Sequence, residues 1–271
     1  MFLSNMKHRW MLPSLSLLFI STFSIAGTSG IKELPTATTS WPGFYAGING
    51  GYSWANANTQ IVPLPLPAQL PIGYGTMQPA SLSVSMSSGV FGGQIGYNWQ
   101  LSAYPQVYLG LETDINWNSL KGATTGDGVG NAVEHFEVFN NILSTQQETN
   151  WFGTLRGRLG YTPTDFIFLY GTGGLAYGSI KEMANVNFIP GNYGTSQYPS
   201  SVSATQTGWT AGGGVEWAPR QMWSVKLEYL YYDLGSITAI ANPVNPNPPF
   251  QTEYTWSNPT QLIRLGLNYL F

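Results

Sequence analysis

The segment Trp151–Tyr161, WFGTLRGRLGY, constrains the fold more than any other stretch of the chain. Read with a period of two, it sets Trp151, Leu155, Leu159 and Tyr161 on one face and Phe152, Thr154, Arg156 and Arg158 on the other. Alternation of this kind marks a β-strand whose two sides meet different surroundings. A soluble sheet turns its arginines to water and its leucines to a core, whereas a transmembrane barrel turns leucines to lipid and arginines to the lumen. An arginine held against lipid at mid-bilayer costs about 2–4 kcal/mol, so this strand crosses a membrane only with both arginines pointing inward. The rest of the chain must then supply enough similar strands to close a barrel.

Composition favours that reading. Only 8% of the 271 residues are charged, against about 25% in ordinary globular proteins. Aromatics make up 14%, and beyond the N-terminus no apolar run is long enough for a membrane helix. The net charge of −3 argues against nucleic acid as a partner. With no cysteine, disulfides, zinc thiolates and lipid-bearing cysteines are excluded.

At the N-terminus, Lys7 and Arg9 precede an apolar stretch from Trp10 to Ile25, followed by small residues at Ala26, Gly27 and Ser29. A basic start, a short apolar centre and a small-residue exit predict a secretory signal peptide over residues 1–26, cut after Ala26. A lasting membrane anchor is disfavoured by the short apolar run and by Pro13. Residues 27–42 read as a periplasmic lead-in, and residues 43–271 as the barrel domain.

Seven further segments alternate like the first. In the first strand Phe44, Ala46, Ile48, Tyr52 and Trp54 oppose Gly47, Asn49, Gly51 and Ser53. The second sets Phe91, Ile95, Tyr97 and Trp99 against Gln94 and Asn98, and the third sets Leu109, Leu111, Ile115 and Trp117 against Glu112, Asp114 and Asn116. The fifth, Phe166 to Ser179, is ambiguous, because Phe166, Phe168 and Tyr170 compete with Ile167, Leu169, Leu175 and Tyr177 for the lipid side. In the sixth, Trp209, Ala211, Val215 and Trp217 oppose Thr210 and Glu216. The seventh sends Trp223, Val225, Leu227, Tyr229 and Tyr231 outward and Lys226 and Glu228 inward, while the last sends Ile263, Leu265, Leu267, Tyr269 and Phe271 outward and Arg264 and Asn268 inward.

The total is eight strands. Long loops are expected at Ala55–Ser83, Ser119–Gln147, Ile180–Ser203 and Gly235–Asn258, alternating with tight turns such as Thr162–Asp165. An even count with alternating long and short connections is the outer-membrane pattern: an all-β, antiparallel up-and-down barrel with long loops outside and short turns in the periplasm. Strands of about 11 residues, rising ~3.3 Å each at a tilt of ~40°, climb roughly 28 Å, the height of the apolar band.

GFYAGINGGYSW, YLGLETDINW, WFGTLRGRLGY with FIFLYGTGGLAYG, WSVKLEYLYYDLG and the terminal LNYLF resemble, in order, the strands of the OmpA-like eight-stranded outer-membrane barrels. In particular they are similar to the small porin-family surface proteins of alphaproteobacteria. The resemblance spans Trp41 to Phe271. It implies the outer membrane of a Gram-negative bacterium, contact with outer-membrane lipids and lipopolysaccharide, and insertion by the barrel-assembly machinery, with Tyr269 and Phe271 as its signal. Family members are variously porins, surface antigens, adhesins or haem binders. This chain differs in its proline-rich, nearly uncharged loops, and it ends on the barrel, without the peptidoglycan-binding domain of the larger relatives.

The candidate site residues are the inward charges: Glu112, Asp114, Glu216 and Glu228 against Arg156, Arg158, Lys226 and Arg264. An eight-stranded barrel is just wide enough for its own side chains, so they are expected to pair and fill the lumen. A pore lining or an acid/base site are the alternatives. His135, the one histidine beyond the signal segment, sits with Glu134 and Glu137 in a loop and has no identifiable partner, so no catalytic residue, metal ligand or cofactor is expected. PLPLPAQLP (Pro63 to Pro71) and the prolines from Pro243 to Pro249 read as extended, polyproline-like loops, in the first place disordered surface, with a loop that contacts a host or surface ligand as the alternative. Trp54, Trp99, Trp117, Trp151, Trp217, Trp223 and Tyr269 read as interfacial girdles. The expected function is a non-enzymatic structural or surface-interaction role (envelope integrity, antigen or adhesion), with a small low-conductance porin as the alternative. Less favoured are a haem-binding surface protein and a lipid-modifying enzyme, the latter disfavoured by the lone histidine.

Overall fold

Alternation of inward and outward residues organises the chain in the computed structural model, which describes residues 40–65, 80–130, 139–189, 196–245 and 250–271. Nine strands are formed: β1 (Gly43–Pro65), β2 (Ala80–Leu101), β3 (Tyr104–Gly130), β4 (Phe139–Thr164), β5 (Ile167–Ile189), β6 (Ser196–Gln197), β7 (Ser200–Arg220), β8 (Trp223–Ala241) and β9 (Phe250–Leu270). Eight of them close an antiparallel ring in the order β1-β2-β3-β4-β5-β7-β8-β9, with β9 pairing back onto β1. The two-residue β6 is an appendage of β5. Tight turns follow β2 at Ser102–Ala103, β4 at Asp165–Phe166 and β7 at Gln221–Met222, all at one end of the ring.

Two rims of exposed aromatics bound the apolar outer face. Trp99, Trp217 and Trp223 lie near the short-turn end, and Trp117 and Trp209 near the other. Between them Ile48, Ile95, Leu155, Leu175 and Leu265 face out, with Ile48 68% exposed, as lipid contact requires.

β5 settles into one of its two options. Phe168 and Tyr170 point inward and are buried, while Leu169 and Leu175 point outward, and Phe166 belongs to the turn rather than the strand. The inward choice is favoured because Gly160 of β4 leaves a gap that the Phe168 ring fills, a pairing of aromatic and glycine across strands. The turn itself sits later than the sequence suggests, since β4 runs on to Thr164.

The larger correction concerns the long loops. Most of Ala55–Ser83, Ser119–Gln147, Ile180–Ser203 and Gly235–Asn258 is strand, and the barrel continues far past the second aromatic rim. Alternation persists there with its polarity inverted. Asn56, Asn58, Ser85, Lys121, Gln146 and Lys181 face out, whereas Ala55, Ala57, Ile61, Val84, Leu143, Ala184, Val186 and Trp256 face in and are buried. Outside the bilayer the outer surface meets water, so the apolar face must turn inward to be buried at all. A search for apolar-out strands ends at the rim and takes the remainder for loop.

Register irregularities cluster at this boundary, between Trp117/Leu120, Thr149/Trp151 and Asp233/Ser236. The extra residue Asn150 reverses the parity of β4, so that Phe152, Thr154 and Arg156 face inward below it and Thr149, Gln147 and Thr145 above it. In β8 the irregularity is closed by Gly235, whose φ of +78° is costly for other residues, and whose amide donates to Asp233 Oδ1 at 2.8 Å. Part of the expected polyproline stretch is also strand: Pro63 to Pro65 pair with Thr252 to Phe250 of β9. Among the described residues the pairing of β1 with β2 runs to Ile61, and these prolines lie at the end of the strand, where a missing N–H is tolerated. The rest of that stretch, together with His135, Glu134 and Glu137, lies outside the described residues, as do the prolines at 246, 248 and 249.

Candidate functional site

The lumen is filled in layers, and each layer follows from which inward residues the ring brings to one height. At the short-turn end Trp41, Tyr108, Phe168, Tyr170 and Ala218 form an aromatic cap. Trp41, at the end of the segment read as a lead-in, stacks on Phe168 at 5.2 Å and donates its indole N–H to the Asp165 carbonyl at 3.0 Å.

Above the cap, all eight of the inward charged residues expected from the sequence are buried. Glu112 and Arg156 are direct cross-strand partners on β3 and β4 and are hydrogen-bonded to each other. Arg156 also reaches Asp114 and Glu228, each at 2.9 Å. Arg264 on β9 holds Glu228 at 2.6 Å and Asp114 at 2.9 Å. Lys226 on β8 donates to both oxygens of Glu112, at 3.0 and 2.9 Å. Strands β3 and β8 are four places apart in a ring of eight. That contact therefore spans the whole lumen.

Arg158 bonds to Glu216 and to the Tyr45 hydroxyl and lies 3.9 Å from the centre of the Tyr170 ring. Neutral groups complete the network. The Tyr45 hydroxyl donates to Glu112 at 2.6 Å, Tyr170 to Glu228 at 2.9 Å, Ser224 to Glu216 at 2.9 Å and Asn116 to Asp114 at 2.6 Å. Ions taken out of water are tolerated only when paired and further hydrogen-bonded in this way.

A belt of apolar residues lies over the charges, including Val90, Phe152, Ile180, Leu230, Tyr232 and Leu262, with the rings of Phe152 and Tyr232 stacked at 4.6 Å. Past the belt, within the extension, comes a polar layer. Thr59 and Thr145 are hydrogen-bonded at 2.9 Å, Gln147 donates to Thr59 at 3.1 Å, and the Trp256 indole donates to Thr145 at 3.2 Å. Glu182 faces this layer, fully buried, and burial pushes its carboxyl up to about 9, offset a little by the Asn258 amide. A second apolar cluster built on Ile61, Leu143, Val186, Tyr198, Tyr254 and Trp256 closes the layer from the far side.

These features match a known family. Its model, described as the outer membrane protein beta-barrel domain, covers residues 15–271. The chain belongs to that family. This outer-membrane β-barrel protein is 34% identical over 250 residues to the 31 kDa outer-membrane immunogenic protein of Brucella melitensis, covering 91% of this chain and 90% of the relative. It is 29% identical over 237 residues to the 22 kDa outer membrane protein of Rhizobium leguminosarum, covering 81% and 84%. Among solved structures, the outer membrane protein OprG from Pseudomonas aeruginosa aligns over 86% of this chain and 98% of its own at 12% identity, with a TM-score of 0.43, too distant to carry any argument. The barrel thus resides in the outer membrane of a Gram-negative bacterium.

Sequence reading missed several members of the lumen. Tyr45 and Tyr170 are hydrogen-bonding parts of the ion network, and inward parity on β1 and β5 is the signal that would have found them. Glu182 falls in a stretch that reads as loop in the sequence, although it shares the inward parity of Tyr170 and Ala176. Tyr269 and Phe271, read as the assembly signal, lie edge to face at 5.0 Å at the short-turn end, where the Phe271 amide donates to the Phe44 carbonyl at 2.9 Å.

Proposed function

We propose that this barrel is a closed, non-enzymatic surface protein, whose lumen is a stabilising core rather than a passage and whose extension presents its contact surface outside the cell. The observation that carries the reading is the Lys226–Glu112 contact across the full width of the ring, made by two side chains with no exposure to solvent. The aromatic cap on one side and the Phe152–Tyr232 belt on the other support it, since each adds a water-excluding layer. The relatives' description as immunogenic outer-membrane proteins supports exposure of part of the chain at the cell surface. The outward face of the extension, rich in Ser, Thr, Asn and Gln and poor in charge, suits contacts made by neutral hydrogen bonding, to the sugars of lipopolysaccharide or to a host surface.

The test is conductance of the refolded protein in a planar bilayer. A closed lumen gives no resolved channel events, and Lys226→Ala with Glu112→Ala gives a small leak. A steady conductance in the wild type, unaffected by these changes, would return the reading to a porin.

A further inference from the structure

The Glu182 carboxylate stands apart from the other buried acids among the described residues. Glu112, Asp114, Glu216 and Glu228 each touch at least one arginine or lysine. No donor reaches either Glu182 oxygen with full hydrogen-bond geometry, although the residue has no exposed surface, and the Asn258 amide nearby offsets its burial only a little. The inward cations of the described residues, Arg156, Arg158, Lys226 and Arg264, are all engaged in the network beyond the apolar belt. Lys181, next in the chain, points to the outside opposite Glu148.

What does surround Glu182 is a set of neutral oxygen donors. Gln147 is its direct cross-strand partner on β4, and its own Oε1 is buried with no donor on it. The side-chain amide of Gln147 is turned the other way, to Thr59. Once Glu182 is ionised, the amide oxygen and the carboxylate are neighbouring inward acceptors with no proton between them to share. Such an arrangement is costly unless a positive species sits there.

We propose that Glu182 and Gln147 form the core of an internal binding site for one small monovalent cation, of the sodium class. Hard oxygen donors, carboxylate and amide carbonyl, suit an alkali or alkaline-earth ion and not a soft metal. The count of charges selects between the first two. Glu182 is the one acid facing this layer among the described residues, so a monovalent ion leaves the chamber neutral. A divalent ion would leave a net positive charge enclosed between two apolar clusters, with the desolvation cost that implies. The Thr59 and Thr145 hydroxyls, already paired with each other, lie on the same polar layer and supply further oxygens. The ion would tie β4 to β5 inside the extension, where among the described residues no salt bridge does so on the inner face.

A binding assay on the full refolded barrel tests this directly. The protein is exchanged into choline chloride, an ion too large for the site, at about pH 9.5, above the value to which burial pushes Glu182. Sodium chloride then replaces choline chloride at constant ionic strength, while sodium-23 NMR line width and the melting temperature are followed. The wild type should broaden the sodium line saturably and melt at a higher temperature as sodium rises. Glu182→Gln should do neither while remaining folded, and Gln147→Met should weaken the sodium effect at least tenfold. Equal responses in the wild type and Glu182→Gln overturn the site, as does the absence of any sodium response. A wild-type response to calcium but not to sodium overturns the monovalent assignment. Should Glu182→Gln fail to fold, an unweakened sodium response in Gln147→Met overturns the proposal by itself.

Discussion

Arg158, rather than the more heavily bonded Arg156, is where the ion network should be most fragile. Arg156 contacts Glu112, Asp114 and Glu228, but each of those acids keeps another cation: Lys226 at 2.9 Å, Arg264 at 2.9 Å and Arg264 at 2.6 Å. Among the described residues Glu216 has only Arg158 as a cation, with neutral support from Ser224 at 2.9 Å and Asn268 at 3.3 Å. Arg158→Met therefore strands a buried carboxylate, for which losses of about 3–5 kcal/mol are typical. It also removes the guanidinium from above the Tyr170 ring, a further contribution of up to about 2 kcal/mol when desolvated. We expect a loss of about 5 kcal/mol for Arg158→Met and about 3 kcal/mol for Arg156→Met. Adding Glu216→Gln to Arg158→Met removes the stranded charge and should recover at least about 2 kcal/mol, the ring contact staying lost. Urea unfolding of the refolded barrel in detergent, followed by tryptophan fluorescence, reads all three differences. A double variant no more stable than Arg158→Met, or a larger loss from Arg156→Met than from Arg158→Met, would refute this account of the network.

Three other outcomes are expected. In choline chloride, where no small cation competes, Glu182 should be protonated in the folded barrel up to about pH 9 but ionised in the unfolded chain above its ordinary value of 4.5. The folded state then binds the extra proton, so wild-type stability falls as pH rises between those values, by at most about 1.4 kcal/mol per unit. Glu182→Gln should gain on the wild type across that window in urea titrations, and a constant gap would exclude a raised folded-state value. Inversion of polarity in the extension predicts that Trp256→Ala, emptying a fully buried site, costs about 3–5 kcal/mol, while Asn58→Ala on the outer face stays within about 0.5 kcal/mol. An epitope inserted at Gln221–Met222 should be reached by antibody only in permeabilised cells, and one placed between residues 66 and 79 in intact cells; the reverse pattern would invert the orientation.

Much of the barrel was legible in the sequence because the bilayer imposes a simple rule on it. Between the aromatic rims every strand has lipid on one side, so an outward row such as Ile263, Leu265 and Leu267 must be apolar and an inward row such as Arg264 and Asn268 need not be. Period two therefore reads out both the strands and the inward charges without any knowledge of neighbours. Past the rims the rule lapses, and residues such as Asn56, Asn58 and Gln60, which face water from a strand, look the same as loop residues.

Only the tertiary structure decided three things. It decided the parity of β4 above Asn150, because a bulge is a relation between two strands and leaves no mark in the alternation of one. It decided the inward turn of Phe168 and Tyr170, because the space they fill belongs to Gly160 and to Arg158 on a neighbouring strand. And it decided which charges meet. Lys226 and Glu112 are 114 residues apart, and nothing local to either encodes the other; closure of the ring puts their strands face to face across a lumen too narrow to keep them apart.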